Sequence, residues 1–211
     1  MRPRLVMAAV AAVLASAALA GCSAGNAAAP PPLVAESTPA GQYRGTELDP
    51  AQPRPTFTLT DTAGKPYDFS ARTHGVPTLL FFGFTHCPDV CPTTMADVAT
   101  ALRGVSPSLQ QSVRVVFVTT DPQRDTGPVL AKWLRAFDAD LPGRFVGLTG
   151  TVAQVEAAQA AAKVPVATDE GQTHSAELLF YGPDDYARVA YLLGTSPDDL
   201  RQDLPLVAGS R

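Results

Sequence analysis

The chain has 211 residues and a formal net charge of −4 at pH 7, with 16 lysines and arginines against 20 acidic residues. This length accommodates one ordinary domain and an additional segment. Lysine and arginine form no cluster in the sequence, which argues against a nucleic-acid partner because binding to phosphate backbones requires concentrated positive charge.

The first segment has the layout of an export signal. Arg2 and Arg4 precede an uncharged, alanine-rich stretch that is short for a membrane span and typical of a signal peptide. The stretch ends in "LAGC" at 19–22, which is similar to a bacterial lipobox. We therefore expect a signal peptide over residues 1–21 and lipidation of Cys22, which would anchor the chain at the extracytoplasmic face of the membrane. An ordinary secretory signal followed by a chance cysteine is the alternative.

The number of cysteines agrees with lipidation. Three cysteines in an exported protein leave one without a partner. If Cys22 carries the lipid, Cys87 and Cys91 are the two free thiols that remain. In an oxidising compartment, two idle thiols this close in sequence tend to form a disulfide.

The predicted domains follow from a change in composition. Residues 22–55 are rich in alanine, proline, glycine, serine and threonine and lack aliphatic patterning, so we predict a flexible tether. A short strand over 43–48 is the one regular element expected within it. The globular domain is predicted over 56–207, followed by a tail at 208–211.

The domain begins with strand patterns. "FTLTDTAGKPYDF" at 57–69 alternates on both sides of a turn and predicts a hairpin. "TLLFFGF" at 78–84 and "VRVVFVT" at 113–119 are continuous apolar runs, which are typical of parallel strands covered on both faces.

Three helices are predicted from apolar residues spaced three and four positions apart. The first begins near Pro92, because proline suits a first helical turn. The third begins at Thr151, which forms a capping-box pattern with Gln154. The apolar stripes of the first two helices comprise Met95, Val98 and Leu102 in one, and Val129, Leu130, Trp133, Leu134 and Phe137 in the other.

The C-terminal part adds a second hairpin and a last helix. "ELLFY" at 177–181 and "RVAYLL" at 188–193 flank the turn "GPDD". Ser196 begins the last helix, and we expect Pro205 to end it. Strands that alternate with helices indicate an α/β sheet with right-handed crossovers.

The two nearby cysteines lie at the end of a strand where functional sites collect in α/β proteins. Cys87 follows the first long strand and Cys91 precedes a helix, whose N-terminus favours a thiolate. Redox chemistry and metal binding both use that thiolate, and the four-residue spacing does not separate them. A stapling disulfide also stays open.

Three motifs resemble the SCO/SenC family, the copper-handling proteins of cytochrome oxidase assembly. They are "FTHCPDVCPTT" at 84–94, "TTDPQRDTG" at 119–127 and "THSAELLFYGPDD" at 173–185, and they occur in the family's order. The resemblance implies a thioredoxin-like α/β fold with a central, mostly parallel sheet, flanking helices and an N-terminal β-hairpin.

The resemblance also implies a function. Cys87, Cys91 and His174 would bind one copper ion, because soft thiolates suit Cu(I) and an added imidazole allows Cu(II). The protein would then be a metallochaperone rather than an enzyme. It would receive copper from an upstream donor and deliver it to cytochrome c oxidase subunit II or a similar copper enzyme.

Two rival functions use the same cysteines. In a thiol-disulfide oxidoreductase, Cys87 and Cys91 would be the catalytic redox pair that reduces the client's cysteines, and His174 would not be needed. In a non-catalytic lipoprotein, the pair would form a stapling disulfide with neither copper affinity nor redox activity.

Neighbouring polar residues have expected supporting roles. Asp121, at the end of a strand, could orient His174 or the thiolates, while Thr126 is expected to cap the next helix. Many members of the family have aspartate before the ligand histidine. Here that position is Thr173, so the role of this carboxylate cannot be carried over, although Asp169 or Glu170 could substitute.

Overall fold

The computed structural model describes residues 41–141 and 145–210. The predicted signal peptide, Cys22 and the tether before residue 41 lie outside the described residues, as does the last residue of the predicted tail. No helix in the described ranges is long and apolar enough to cross a membrane.

The described residues form eight strands and six α-helices, with one short 3₁₀ turn over Asp169–Gly171. The strands are β1 (Thr46–Pro53), β2 (Thr58–Asp61), β3 (Pro66–Asp68), β4 (Thr78–Gly83), β5 (Arg114–Thr119), β6 (Phe145–Thr149), β7 (Leu178–Tyr181) and β8 (Tyr186–Tyr191). The helices are α1 (Phe69–Thr73), α2 (Val90–Arg103), α3 (Pro107–Ser112), α4 (Gly127–Asp138), α5 (Val152–Ala161) and α6 (Pro197–Ala208).

All eight strands form one sheet in the order β1-β8-β7-β4-β5-β6-β2-β3. The three central strands β4, β5 and β6 are parallel, and the remaining pairings are antiparallel. The sheet is therefore mixed, with fewer parallel strands than the sequence predicts. Both predicted hairpins are present, as β2–β3 and β7–β8.

The central strands are covered on both faces, as their continuous apolar runs predict. Successive side chains of a strand point to opposite faces. Leu79 and Phe81 of β4 therefore pack in one hydrophobic cluster with α2, α4 and α6, whereas Leu80 and Phe82 pack in the other with α5. The helix that carries the second cysteine, α2, is thus fixed against β4 by its buried Met95, Val98 and Leu102.

The predicted helices are present but differ in detail, and the short helices α1 and α3 were not predicted. Thr151 caps α5 through a capping box with Gln154, as expected. Val129 is 38% exposed and lies outside the buried stripe of α4. The last helix continues through Pro205, because Leu204 and Val207 pack into the core and this burial outweighs the loss of one backbone hydrogen bond.

The segment before the hairpin is part of the sheet, which corrects the predicted extent of the tether. β1 pairs antiparallel with β8, so the expected strand at 43–48 is shifted and longer. The buried guanidinium of Arg54 donates to the Asp185 carboxylate, the Thr73 hydroxyl and two backbone carbonyl groups. The folded domain therefore begins before residue 46 rather than at 56.

The start of β1 is held by one buried carboxylate. Asp203 of α6 is 0% exposed and accepts the backbone N–H groups of Arg44 and Gly45 at 2.9 and 3.0 Å. It also accepts the hydroxyl of Tyr191 at 3.0 Å. These donors join the N-terminal strand to the last helix.

Replacing Asp203 with alanine should lower the free energy of unfolding by about 2–3 kcal/mol, because the three donors lose a charged acceptor. Urea unfolding of the variant measures this change. Asp198→Ala is the matched control, since that carboxylate lies exposed on the same helix beside Arg201 and should contribute less than about 1 kcal/mol. Equal losses in the two variants would show that the buried carboxylate has no special role.

Candidate metal centre

Cys87 lies in a tight turn that follows the end of β4. We name residues 84–87 the cysteine turn. The backbone N–H of Cys87 donates to the carbonyl of Phe84 at 3.3 Å across this turn. Helix α2 starts at Val90, so Cys91 lies in its first turn rather than before the helix. The backbone N–H of Cys91 donates to Cys87 Sγ at 3.3 Å, because the first N–H groups of a helix have no partner inside it.

The histidine comes from a loop that is fastened to the end of β5. The Thr120 hydroxyl donates to the carbonyl of Gly171 at 2.7 Å. Gly171 has φ of +87°, and a Cβ atom there would lie 1.9 Å from the backbone oxygen of Thr120. Glycine therefore allows the close approach of the two backbones that brings His174 to the cysteines.

Cys87, Cys91 and His174 form one compact cluster. Their ligand atoms all lie within 4.8 Å of one another, and Cys91 Sγ is 3.5 Å from His174 Nε2. His174 Nδ1 lies 2.8 Å from the carbonyl oxygen of Ser175, which assigns the proton of the neutral ring to Nδ1. The lone pair of Nε2 therefore faces the two sulfurs.

Two aromatic rings and a glycine pack around His174 and Cys91. The His174 ring makes edge-to-face contacts with Phe81 and Phe84, with centroids 6.2 and 5.5 Å away. A Cβ atom on Gly83 would lie 2.7 Å from Cys91 Sγ. The last residue of β4 thus leaves room for the buried sulfur.

The two thiols differ in their tendency to ionise. Burial raises the pKa of Cys87, but the backbone N–H groups of Cys91, Asp89 and Val90 outweigh it, so the pKa is lowered overall. Burial raises the pKa of Cys91 well above its usual range. Burial also lowers the pKa of His174, which keeps the imidazole neutral. The cluster therefore offers an accessible thiol that ionises more readily than an ordinary cysteine, a buried thiol that ionises less readily, and a neutral imidazole.

The ligand set suits a soft metal ion. Two sulfurs and one imidazole nitrogen favour copper or zinc over magnesium or calcium. Within the described residues, the group that could hold a metal has these three members. A structural zinc site would use four protein ligands, so three ligands fit Cu(I) better.

Asp121 does not reach the cluster through its side chain. Its buried carboxylate pairs with Arg124, and its backbone N–H donates to the Thr119 hydroxyl at 3.0 Å. Thr126 occupies the N-cap position of α4, but its side chain makes no capping hydrogen bond. In the described part of the chain, no hydrogen bond joins the Asp121 carboxylate to the cysteines or to His174.

Sequence reasoning missed the contact of Asp125 with the cysteine turn. Its carboxylate is fully buried and binds Thr85 in the cysteine turn. Its position shortly after a predicted strand was the only sequence feature that could have indicated a role near the site, and Asp121 has the same feature. His86, next to Cys87, is outside the cluster, with Nδ1 3.2 Å from the Thr85 hydroxyl oxygen.

The loop before His174 uses its acidic residues locally. Thr173 stands where many relatives are expected to have aspartate, and its hydroxyl donates to the carboxylate of Asp169 at 2.8 Å. Glu170 is exposed on the same loop. The Asp169 carboxylate is thus bound within the loop and does not replace the missing aspartate at the cluster.

Alkylation should distinguish the two thiols. Because its pKa is lowered, Cys87 should reach half of its maximal rate with iodoacetamide at a lower pH than an ordinary cysteine does, whereas buried Cys91 should react slowly throughout. Peptide mass spectrometry over a pH series measures both rates. Cys91→Ser should retain the fast reaction and Cys87→Ser should lose it. Faster modification of Cys91 would contradict this assignment.

Comparison with known proteins identifies the family. The model of the SCO1/SenC family matches residues 45–207. A Stutzerimonas stutzeri protein named for copper binding is 33% identical over 162 residues, which cover 72% of this chain and 76% of that protein. The mouse mitochondrial SCO2 homologue is 34% identical over 137 residues, and this chain spans about half of its length (51%).

Solved structures show the same fold. Copper-bound ScoI from Bradyrhizobium japonicum superposes with a TM-score of 0.61 at 31% identity and covers 73% of this chain and 98% of that one. Apo Sco1 from Thermus thermophilus gives 0.61 at 30% identity, with 81% and 96% covered. The thioredoxin-like α/β fold is therefore confirmed, and the chain belongs to the SCO1/SenC family.

Proposed function

We propose that this protein is a copper metallochaperone that binds one copper ion through Cys87, Cys91 and His174. The observation that carries the proposal is the convergence of the three ligand atoms within 4.8 Å. The copper-bound state of ScoI from Bradyrhizobium japonicum, a relative with 31% identity, supports the choice of metal.

The cluster has the properties of a carrier site. Copper replaces the proton on the buried thiol of Cys91, so binding releases that proton, and both sulfurs bind the metal as thiolates. Cys87 is only half-buried, and its sulfur lies at the accessible side of the cluster. A client thiolate can therefore approach the metal there and displace the ligands one at a time.

The proposal includes a place and partners for the protein. SCO family proteins are associated with cytochrome c oxidase assembly, which supports subunit II of that oxidase, or a similar copper enzyme, as the client. An upstream copper donor would load the site. The lipobox-like sequence at 19–22 supports a lipid anchor on Cys22 at the extracytoplasmic face. The tether between Cys22 and the domain would then let the domain reach a membrane-bound client.

A second function is favoured by the lowered pKa of Cys87. As a thiolate, Cys87 would attack a disulfide of the client and release one client sulfur as a thiolate. Cys91 would then pass its proton to that thiolate and resolve the mixed disulfide, so both client sulfurs are reduced while the pair becomes a disulfide. This chemistry does not use His174.

Copper binding to the reduced full chain separates the two functions. The wild type should hold one copper tightly, and the double variant Cys87→Ser/Cys91→Ser should lose it. His174→Ala should weaken binding by removing one of three ligands. His74→Ala is the control and should bind as the wild type does, because His74 is exposed beside Asp185 and lies outside the cluster. Absence of tight copper in the wild type, together with a readily cycling Cys87–Cys91 disulfide, would favour the oxidoreductase.

Gly171→Ala should weaken copper binding by about tenfold or more, because the new Cβ would collide with the backbone of Thr120 and displace the loop that carries His174. Gly64→Ala is a matched control. Gly64 has a similar positive φ of +78°, but nothing lies within 4 Å of its Cβ position. Titration of both variants with copper tests the role of the close contact, and equal affinities would refute it.

A further inference from the structure

Asp125 has a fully buried carboxylate between β5 and α4, and this carboxylate is hydrogen-bonded to Thr85 in the cysteine turn and to Thr119 at the end of β5. One oxygen accepts the backbone N–H of Thr85 at 2.9 Å and the hydroxyl of Thr119 at 2.7 Å. The other accepts the hydroxyl of Thr85 at 2.5 Å. Within the described ranges no lysine or arginine pairs with this carboxylate, although Nδ1 of the exposed His86 lies 3.6 Å from its second oxygen. The three hydrogen bonds from Thr85 and Thr119 compensate for its burial.

The backbone N–H and the hydroxyl of Thr85 therefore both donate to the Asp125 carboxylate. Thr85 is the second residue of the cysteine turn, which the hydrogen bond from Cys87 N–H to the carbonyl of Phe84 closes. The backbone angles of the second residue set the direction in which a turn sends the chain. By fixing Thr85, the carboxylate fixes the point from which Cys87 leaves the turn.

Asp125 is itself held by the neighbouring strands. Its carboxylate binds Thr119 at the end of β5, and its backbone carbonyl accepts the Thr149 hydroxyl at 3.3 Å at the end of β6. The cysteine turn is thus attached, through Asp125, to the end of β5. The His174 loop is attached to the same strand end through Thr120.

We infer that Asp125 is a positioning residue of the metal centre. Its carboxylate fixes the cysteine turn and so holds Cys87 Sγ at the distance from Cys91 and His174 at which one metal ion can be shared. The inference rests on the proposed function for the identity of the metal as copper. The geometry of the turn does not depend on that identity.

Another fully buried carboxylate of the domain supplies a matched control. Asp203 is also 0% exposed and also accepts two backbone N–H groups and a hydroxyl. It holds the start of β1 rather than the cysteine turn. Truncation of Asp203 should therefore reduce stability without changing the metal centre.

The test compares copper affinity in the reduced full chain of Asp125→Ala, Asp125→Asn and Asp203→Ala. Asp125→Ala should bind copper about 10- to 100-fold more weakly than the wild type, and the sulfur-to-Cu(II) charge-transfer absorption should change. Asp125→Asn should rescue most of the affinity, because an amide oxygen can accept from Thr85 and Thr119 while its NH₂ donates to the Thr85 hydroxyl. Asp203→Ala should keep the wild-type affinity.

Several results would overturn the inference. Wild-type affinity in Asp125→Ala would do so, and equal weakening in Asp125→Asn would assign the effect to charge rather than to position. Equal weakening in Asp203→Ala would assign it to stability. If Asp125→Ala does not fold, Thr85→Val serves instead. It removes one of the three donors and should weaken copper binding less than loss of the carboxylate would, whereas unchanged affinity counts against the inference.

A metal-free measurement separates this inference from the proposed function. Amide hydrogen exchange at Thr85 and Cys87 should be faster in Asp125→Ala than in Asp203→Ala, because only the first variant releases the cysteine turn. This result would support the positioning role even if the wild type bound no copper. Unchanged exchange at both amides would refute it, whatever the copper affinity.

Discussion

The parallel pairing of β4 with β5 is the constraint on which the metal centre depends. Gly83 and Thr119, the last residues of these strands, lie side by side, and the backbone N–H of Thr120 donates to the carbonyl of Gly83 at 2.7 Å. The cysteine turn leaves from one strand end. Asp125 and the Thr120 contact to the His174 loop belong to the other. The two cysteines and His174, which lies 83 positions after Cys91, therefore meet because two strands end together.

The cluster combines this fixed geometry with unequal burial. Cys91 is enclosed by α2 and the aromatic core, where its proton is stable, while Cys87 receives N–H groups from the first turn of the helix. A metal cation is the partner that makes the second thiolate favourable in such a buried place. The same burial keeps His174 neutral, so its Nε2 lone pair is available to a metal without prior loss of a proton.

The sequence predicted the parts of this arrangement that local patterns encode. Continuous apolar runs gave the buried strands, and the position of Cys87 directly after one of them placed it at the functional edge. His174 carries no local signal that distinguishes it from an exposed loop histidine. Its assignment came from the resemblance of the flanking residues to the SCO/SenC family.

Features that depend on long-range contacts were not predictable. A short strand was expected over 43–48, but the full extent of β1 was not, because its sequence contains two prolines and no alternation. The attachment of this segment to Asp203 joins residues 159 positions apart. Asp121 and Asp125 follow the same strand and differ only in how the intervening turn directs them. The N–H groups of Arg124 and Asp125 both donate to the carbonyl of Asp121, and this turn aims the second carboxylate inward. Because both residues are aspartates, the residue type does not predict which carboxylate points towards the cysteine turn.

The two candidate functions compete for the same atoms, which constrains how one chain could perform both. A disulfide between Cys87 and Cys91 removes both thiolates, so the oxidised chain cannot hold copper through them. Conversely, a bound copper ion occupies the thiolate that would attack a client disulfide. A chain with both functions would therefore reduce the client and deliver copper in two separate binding events, and the cysteine pair would have to be reduced again between them. Only copper delivery would use His174, because thiol exchange does not need it and its neutral imidazole would be the third ligand for copper.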